Sequence, residues 1–504
     1  MRPAMAKLIA ACLALAGISL LLPSEPSYDP WAWLVWGREL AHGGLDTTGG
    51  SSWKPLPVVF TTLVARLEGL DEGLPAALWI VVARAGALLA LAMAFRLASR
   101  LAGGGSVGAI GGLVASIALL LTPDWFQFSA HGSEAPIAVA FLLWAIERHL
   151  DGRHAHVVVL GTLACLLRPE LFPFLALYGL WAWWAEPRLR PLLAGVAVLL
   201  PVAWIVPEWI GSGNPLDGGR QARSEPAWSL SHADHPWLRA LERVHNHAGL
   251  AVELLALFAV GWAAVRRRWA VVALAAAALS EVALFLAMTE LGFSGNPRYV
   301  LPALALASVL AGAGAAGLVE AGASLARPGR PLPRLAGAAA GLAVVAVLGA
   351  PFLEERGRQL RNEARQVRLR MDIHRDLARA VDVVGGPGAV AAIGTATANR
   401  ALHSRLAWEL RVPIDQVESV SDHRVVFRSS RERLGGRVYM RGRARSRRTL
   451  ARLGGIWVYR RDGLTFPLAR REFEAIGTPF TASLQGIHRS ADHERKFGSR
   501  VVTR

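Results

Sequence analysis

Apolar runs of helical length recur along the first two thirds of the chain, each ended by a short polar or arginine-bearing stretch. They lie near 6–23, 75–98, 107–122, 135–149, 155–167, 171–185, 190–206, 248–265, 269–288, 299–321 and 335–351. A bilayer core takes about 20 apolar residues of α-helix, so residues 1–351 predict a mainly α, polytopic transmembrane bundle of about 11 spans, several of them short or proline-bearing. The first run follows Arg2 and Lys7, as in a signal peptide. The small residues before Tyr28 make no convincing cleavage site and many more apolar runs follow, so it reads as an uncleaved helix. Beyond 351 the period changes. Helical stretches at 354–384 and 398–411 alternate with strand-like ones at 389–394 ("AVAAIG"), "RVVFRS" and "IWVYRR", which predicts a small α/β domain over 352–484. Residues 485–504 read as a disordered basic tail.

Charge gives the bundle an orientation. With the N-terminus inside, the inner loops carry Arg96 and Arg100, Arg148 and Arg153, Arg188 and Arg190, Arg266 to Arg268, then Arg327, Arg330 and Arg334. All are basic, as the retention of cationic loops on the cytoplasmic side requires. An odd number of spans then places the C-terminal domain outside. The expected location is the plasma membrane, multi-pass, with a cytoplasmic N-terminus and an extracytoplasmic C-terminal domain. Composition agrees: 53% hydrophobic and 18% charged residues are too apolar for a soluble chain of 504 residues. From Phe352 onward 31 Lys and Arg stand against 16 Asp and Glu, so +15 of the net +17 lies there. Its densest stretch, "RVYMRGRARSRR" (437–448), suits an anionic polymer or anionic headgroups. Cys12 and Cys165 both lie in apolar runs and give no disulfide framework.

The unusual polar residues of the membrane part fall on the outer side. "PSYDPWAWLVWGREL" (26–40) reads as an amphipathic helix lying along the membrane surface, with Trp33, Trp36 and Leu40 on one face and Arg38 and Glu39 on another. Its tryptophans suit an aromatic belt, and Asp29 suits an N-cap whose ionised carboxylate could also act as a base. Lys54, one of three lysines, precedes two prolines in "SSWKPLP". It either snorkels to headgroups or binds phosphate. "SAHGSEAP" puts His131 and Glu134 at the mouth of a helix, as a cap or as a site. Arg168, Pro169 and Glu170 interrupt two apolar runs, where ionisable residues are costly and are usually functional or paired. "GNPRYVLP" places Arg298 and Tyr299 at the start of another run, and Arg84 lies about two turns inside the second. Arg84, Arg168 and Arg298 could converge on an anion, because a guanidinium is planar, bidentate and always charged. No Gly-rich phosphate loop, paired-Cys metal site or Gly-x-Ser-x-Gly elbow is present.

Together these segments resemble the GT-C superfamily of membrane glycosyltransferases, in particular the actinobacterial arabinofuranosyl- and mannosyltransferase-like branch that uses polyprenyl-phosphate sugars. The family's Asp-Asp after the first span is matched by Tyr28-Asp29, with Arg38 and Leu40 in step. Lys54-Pro55-Leu56 matches its Pro-Leu turn, Gly132 to Pro136 its Gly-Leu-Glu-x-Pro, and 168–170 its Arg-Pro-Glu. "GSGNPLDGG" approximates a Gly-x-Pro-Leu stretch, and 298–302 matches Arg-Tyr-x-x-Pro. The resemblance covers residues 1–350. It implies transfer of a sugar from a polyprenyl phosphate to a hydroxyl of a cell-envelope glycan or lipid at the outer face. Asp29 would be the catalytic base. Lys54, Arg84, Arg168 and Arg298 would bind the donor phosphate, and Arg38, His131, Glu134, Glu170 and Tyr299 would orient substrate. Tyr28 replaces the first Asp of the doublet, which argues against a divalent metal without excluding one. Membrane lipids are expected partners and nucleic acid is not. Two alternatives stay open: a lipid-linked-glycan transporter or flippase, and a non-catalytic scaffold.

Overall fold

The computed structural model describes residues 3–223, 229–324, 331–418, 425–429, 447–453 and 456–461. All eleven apolar runs fold as helices. The first is α1 (Pro3–Ile18). Two short helices follow it, α2 (Tyr28–Ala41) and α3 (Pro55–Ala65). The next six runs form α4 (Leu74–Leu101), α5 (Gly105–Leu120), α7 (Ala135–Leu150), α8 (His154–Cys165), α9 (Phe172–Ala185) and α10 (Arg190–Ser212), with the short α6 (Trp125–Ala130) between α5 and α7. Polar α11 (Asp217–Arg223) and α12 (Pro236–Ala248) lead to α13 (Leu250–Val265), α14 (Trp269–Glu290), α15 (Leu301–Ser324) and α16 (Pro331–Val384). Among the described helices six are long and apolar enough to cross a bilayer, or seven if α12 and α13, bent by 89°, form one broken span. The chain is a polytopic helical membrane protein.

α15 is the centre of the bundle and is buried almost throughout. It packs against α4, α5, α13, α14 and α16. Small residues permit this: a Cβ on Gly312 would stand 2.2 Å from the Gly111 carbonyl of α5, so only glycine fits there. Close backbone approach replaces the hydrophobic drive that lipid cannot supply. The peripheral helices α9, α10, α13 and α14 instead expose Leu177, Val198, Leu257 and Leu279, the surface that lipid would cover.

α16 runs unbroken through the boundary read at 351–352, with Pro351 inside it. At about 1.5 Å per residue its 54 residues carry the chain well beyond the bundle. After it come α17 (Gly386–Ile393), β1 (Ala396–Thr397), α18 (His403–Leu410), α19 (Asp415–Glu418), β2 (Val425–Ser429), β3 (Arg447–Leu453) and β4 (Ile456–Arg461). The strands form one sheet in the order β1-β2-β4-β3, with β1 and β2 parallel and the other pairs antiparallel. The strand expected at 389–394 is therefore corrected: that stretch is α17. Gly385-Gly386-Pro387 supplies a helix start with proline in its first turn, and a six-residue apolar run has no period that separates helix from strand. Most of the basic stretch 437–448, and the tail 485–504, lie outside the described residues.

Candidate active site

α2 begins after Ser27, and Asp29 sits in its first turn rather than at the cap. An ionised carboxylate is favoured there by the helix dipole. The three tryptophans of α2 do not form an aromatic belt. Trp31, Trp33 and Trp36 are fully buried in protein, against Trp408, Trp79 and Trp53 at ring distances of 5.6, 5.4 and 5.7 Å. Leu40, expected beside them on the lipid face, is exposed. α2 is enclosed by α3 and α4 on one side and by α18 on the other, which no periodicity within α2 could reveal.

Proline places the other charges. Lys54 precedes Pro55 and Arg168 precedes Pro169, and both have nearly the same extended backbone, φ −139 and −140°, ψ 104 and 102°. A residue before proline is driven out of the α region, so each chain turns sharply into a helical start and aims its side chain across the turn. The two starts meet: the Leu56 amide donates to the Leu166 carbonyl at 3.3 Å, and Lys54 Nζ donates to the Leu167 carbonyl at 3.0 Å. Glu134, just before α7, and Arg298, in the Pro297–Tyr299 turn before α15, complete the ring.

These side chains form one network. Glu134 is wholly buried and takes Lys54 Nζ at 3.3 Å and Arg168 Nη1 at 3.0 Å on the same Oε1. Arg168 also pairs with Glu170, and Arg298 pairs with Asp29. The ring of Tyr299 lies between both guanidiniums, 4.9 Å from that of Arg168 and 5.7 Å from that of Arg298. Burial works to raise the Glu134 carboxyl, but Lys54, Arg168 and Arg298 outweigh it and hold the pKa well below the ordinary range. Burial pulls the Lys54 ammonium down, with Glu134 opposing. The Nε of Arg168 and that of Arg298 are buried and have no acceptor among the described residues. Three cations and three carboxylates thus stand together, with donor capacity to spare.

Three expected site residues stand elsewhere. Arg38 reaches the carbonyls of Trp408 and Ala407 at 3.0 and 3.3 Å and stacks on Trp408. Arg84 does not converge with Arg168 and Arg298; it holds the Ser19 and Pro23 carbonyls behind α1. His131 is buried, its imidazole pushed well below the usual pKa by burial and Arg370, and its Nδ1–H donates to the Glu25 carbonyl at 2.9 Å. The sequence shows each nitrogen donor but not the carbonyl that claims it. Two buried acids were missed. Glu208 in α10 takes the Trp53 amide at 3.2 Å and the Thr47 hydroxyl at 3.3 Å, fixing the loop before Lys54. Glu281 lies buried in α14, within electrostatic range of Arg168 and Glu170. An acid inside an apolar run was the available signal for Glu281, and an acid just past the end of one for Glu208. A cavity of about 780 Å³ opens at the far end of α2 beside Arg38, Glu39, Arg66 and Arg411, and none of the Asp29 network lines it.

Among the described residues no group of three or more His, Cys, Asp or Glu could hold a metal. Asp29 is the lone carboxylate at its motif position and is held by Arg298, which does not make a divalent-ion donor set.

No family model and no curated protein sequence matches the chain. A solved structure does: ArnT from Cupriavidus metallidurans bound to undecaprenyl phosphate, at TM-score 0.52 and 15% identity, over 91% of this chain and 98% of that one. The fold is that of ArnT. The apo form of the same protein matches at TM-score 0.49 and 16% identity, over 90% of this chain and 97% of that one. The likeness to the undecaprenyl-phosphate-bound structure runs nearly end to end of both chains and is one of fold.

Proposed function

We propose that the protein is a GT-C glycosyltransferase that moves a sugar from a polyprenyl phosphate to a hydroxyl of an envelope glycan or lipid at the outer face of the plasma membrane, with eleven spans and the C-terminal segment outside. The observation that carries this reading is the Asp29–Arg298 pair set into the network of Lys54, Glu134, Arg168 and Glu170. The neighbouring ArnT structure holds undecaprenyl phosphate, which fits a lipid-phosphate donor here. The polar cluster gathers at helix starts and not midway along the helices, which favours transfer over transport.

In the reaction the acceptor oxygen bonds to the anomeric carbon while the bond from that carbon to the phosphate oxygen breaks. The polyprenyl phosphate leaves with the electron pair, and the acceptor proton passes to Asp29. Cations placed where charge develops lower such a barrier. Lys54, Arg168 and Arg298 fill that role, and the unpartnered Nε atoms of both arginines supply further donors. Arg298 links the two halves: a donor phosphate that draws its guanidinium away from Asp29 frees the carboxylate to accept the proton. Glu134 and Glu170 hold the cations in place, and Tyr299 spaces the two guanidiniums. In this reading Arg38, Arg84 and His131 shape the site from outside it.

The test is Asp29→Asn, assayed with short-chain polyprenyl-phosphate arabinose and mannose. Turnover should fall by about 10²–10⁴-fold, the usual loss of a general base. Affinity for undecaprenyl phosphate should persist. A variant that keeps more than about a tenth of the wild-type rate ends the assignment.

A further inference from the structure

Asp29 is held from a direction that the transfer reaction does not explain. Ser404, completely buried in α18, donates its hydroxyl to the Tyr28 carbonyl at 2.7 Å. That carbonyl belongs to the peptide whose nitrogen is the Asp29 amide, so the bond fixes the plane from which the carboxylate projects. Arg405, the next residue, lies 3.4 Å from Glu25 Oε1, and its guanidinium stacks 4.2 Å from the Trp31 ring. The same Glu25 oxygen accepts from His374 Nδ1 of α16 at 2.9 Å and from Trp31 Nε1 at 3.1 Å. Glu25 and Trp31 flank Asp29 in sequence, so the chain on each side of the carboxylate is tied to the C-terminal segment. Lower on α2, Arg38 caps the carbonyl end of α18.

We propose that α18 positions the catalytic carboxylate: Ser404 and Arg405, acting through the Tyr28 carbonyl and Glu25, set the orientation of Asp29 toward the reacting centre. This rests on the reading of Asp29 as the base. It gives the C-terminal segment a part in the transfer step itself, beyond any binding of acceptor by its charge. None of these residues touches the Lys54–Glu134–Arg168 network, so they are positioning residues. A displacement of about 1 Å at a reacting group can cost about 100-fold in rate, so one hydrogen bond at this peptide is enough to matter.

The experiment compares Ser404→Ala, Ser404→Thr and Glu25→Gln with wild type and with Asp29→Asn. Three quantities are read: hydrogen exchange of the α2 amides, affinity for undecaprenyl phosphate, and turnover of the polyprenyl-phosphate sugar probes. Ser404→Ala and Glu25→Gln should speed exchange in the first turns of α2 and lower kcat about 10-fold. Undecaprenyl phosphate affinity should stay within about 2-fold, and Ser404→Thr, which keeps the hydroxyl, should restore both exchange and kcat. Unchanged α2 exchange with wild-type kcat overturns the proposal. So does faster exchange spread equally over α4 and α15, or affinity falling in step with kcat, since either marks a general loosening. Turnover surviving in Asp29→Asn is a different failure: it removes the base reading and with it the catalytic meaning of the coupling, whatever α18 does to α2.

Discussion

Glu134 touches two cations with one oxygen, and this shared contact keeps a buried cluster of like charges together. Lys54 and Arg168 could not approach in a dry pocket without it, because an unpaired buried charge costs several kcal/mol. Glu39 shows the opposite case. Its carboxyl is pushed up to about 7 by burial, reinforced by Asp46, against the Asp46 amide and Arg38. The folded protein therefore keeps a proton that the unfolded chain releases above about 4.5. Stability drawn from that proton is lost as pH rises from about 5 to about 7 and does not return above it. Glu39→Gln should flatten this decline, by about 1 kcal/mol once the partial exposure of the carboxyl is discounted. Thermal melts of detergent-solubilised protein between about pH 5 and pH 8 give the measurement; parallel curves for variant and wild type would refute it. Asp29, Lys54, Arg168 and Arg298 could be picked out from sequence because charges beside prolines stand out between apolar runs. Arg38, Arg84 and His131, which have no proline beside them, were expected at the site as well and serve carbonyls instead. A residue type names a capacity, and only the fold names the partner.

α2 and α3 meet at a contact that tolerates no side chain. A Cβ on Gly37 would stand 2.4 Å from Thr61 Oγ1 and 2.6 Å from the Thr61 backbone carbon. The same Thr61 hydroxyl donates to the Trp33 carbonyl at 2.6 Å. Gly37→Ala must therefore move one helix off the other, breaking that bond and opening the packing around Trp33. Overpacking of this kind costs about 1–3 kcal/mol, and here it also shifts Asp29 relative to Lys54. A lower melting temperature with reduced turnover is expected; full stability in the variant would mean that α2 and α3 are not packed as described. At this scale the long apolar runs were legible because a helix in lipid must satisfy its own backbone within one continuous segment. The soluble segment was less so. "RVVFRS" and "IWVYRR" are rich in β-branched and aromatic residues and are strands, whereas "AVAAIG" is a helix that nothing in its six residues marks as one. The burial of α2 on both sides was out of reach for the same reason, since one of its neighbours is α18, more than 360 residues later.

The bundle has two chemically distinct ends. At one, the starts of α7 and α15 carry Glu134 and Arg298. At the other, Arg96 and Arg100 from the end of α4 pair with Glu147 and Asp151 at the end of α7, at 2.7 and 2.6 Å. Arg268, between α13 and α14, pairs with Glu320 near the end of α15 at 3.1 Å. α7 and α15 therefore run from the candidate site to the arginine-bearing loops, and three loops that the charge pattern assigned to one side do lie at a common end. Positive loops stay in the cytoplasm, so the site and the far end of α16 should face outward. The test needs two single cysteines, and the background is quiet because Cys12 and Cys165 are both buried. Arg368→Cys, exposed on α16, should react with a membrane-impermeant thiol reagent in intact cells. Arg153→Cys, exposed between α7 and α8, should react only after the membrane is opened. The reverse pattern would turn the molecule over and place Asp29 at the cytoplasmic face. A donor carried on a lipid would then have no need to cross the membrane before transfer. Labelling of both sites in intact cells would put α16 and the α7–α8 turn on the same side, which the passage of α7 from Glu134 to the arginine loops does not allow.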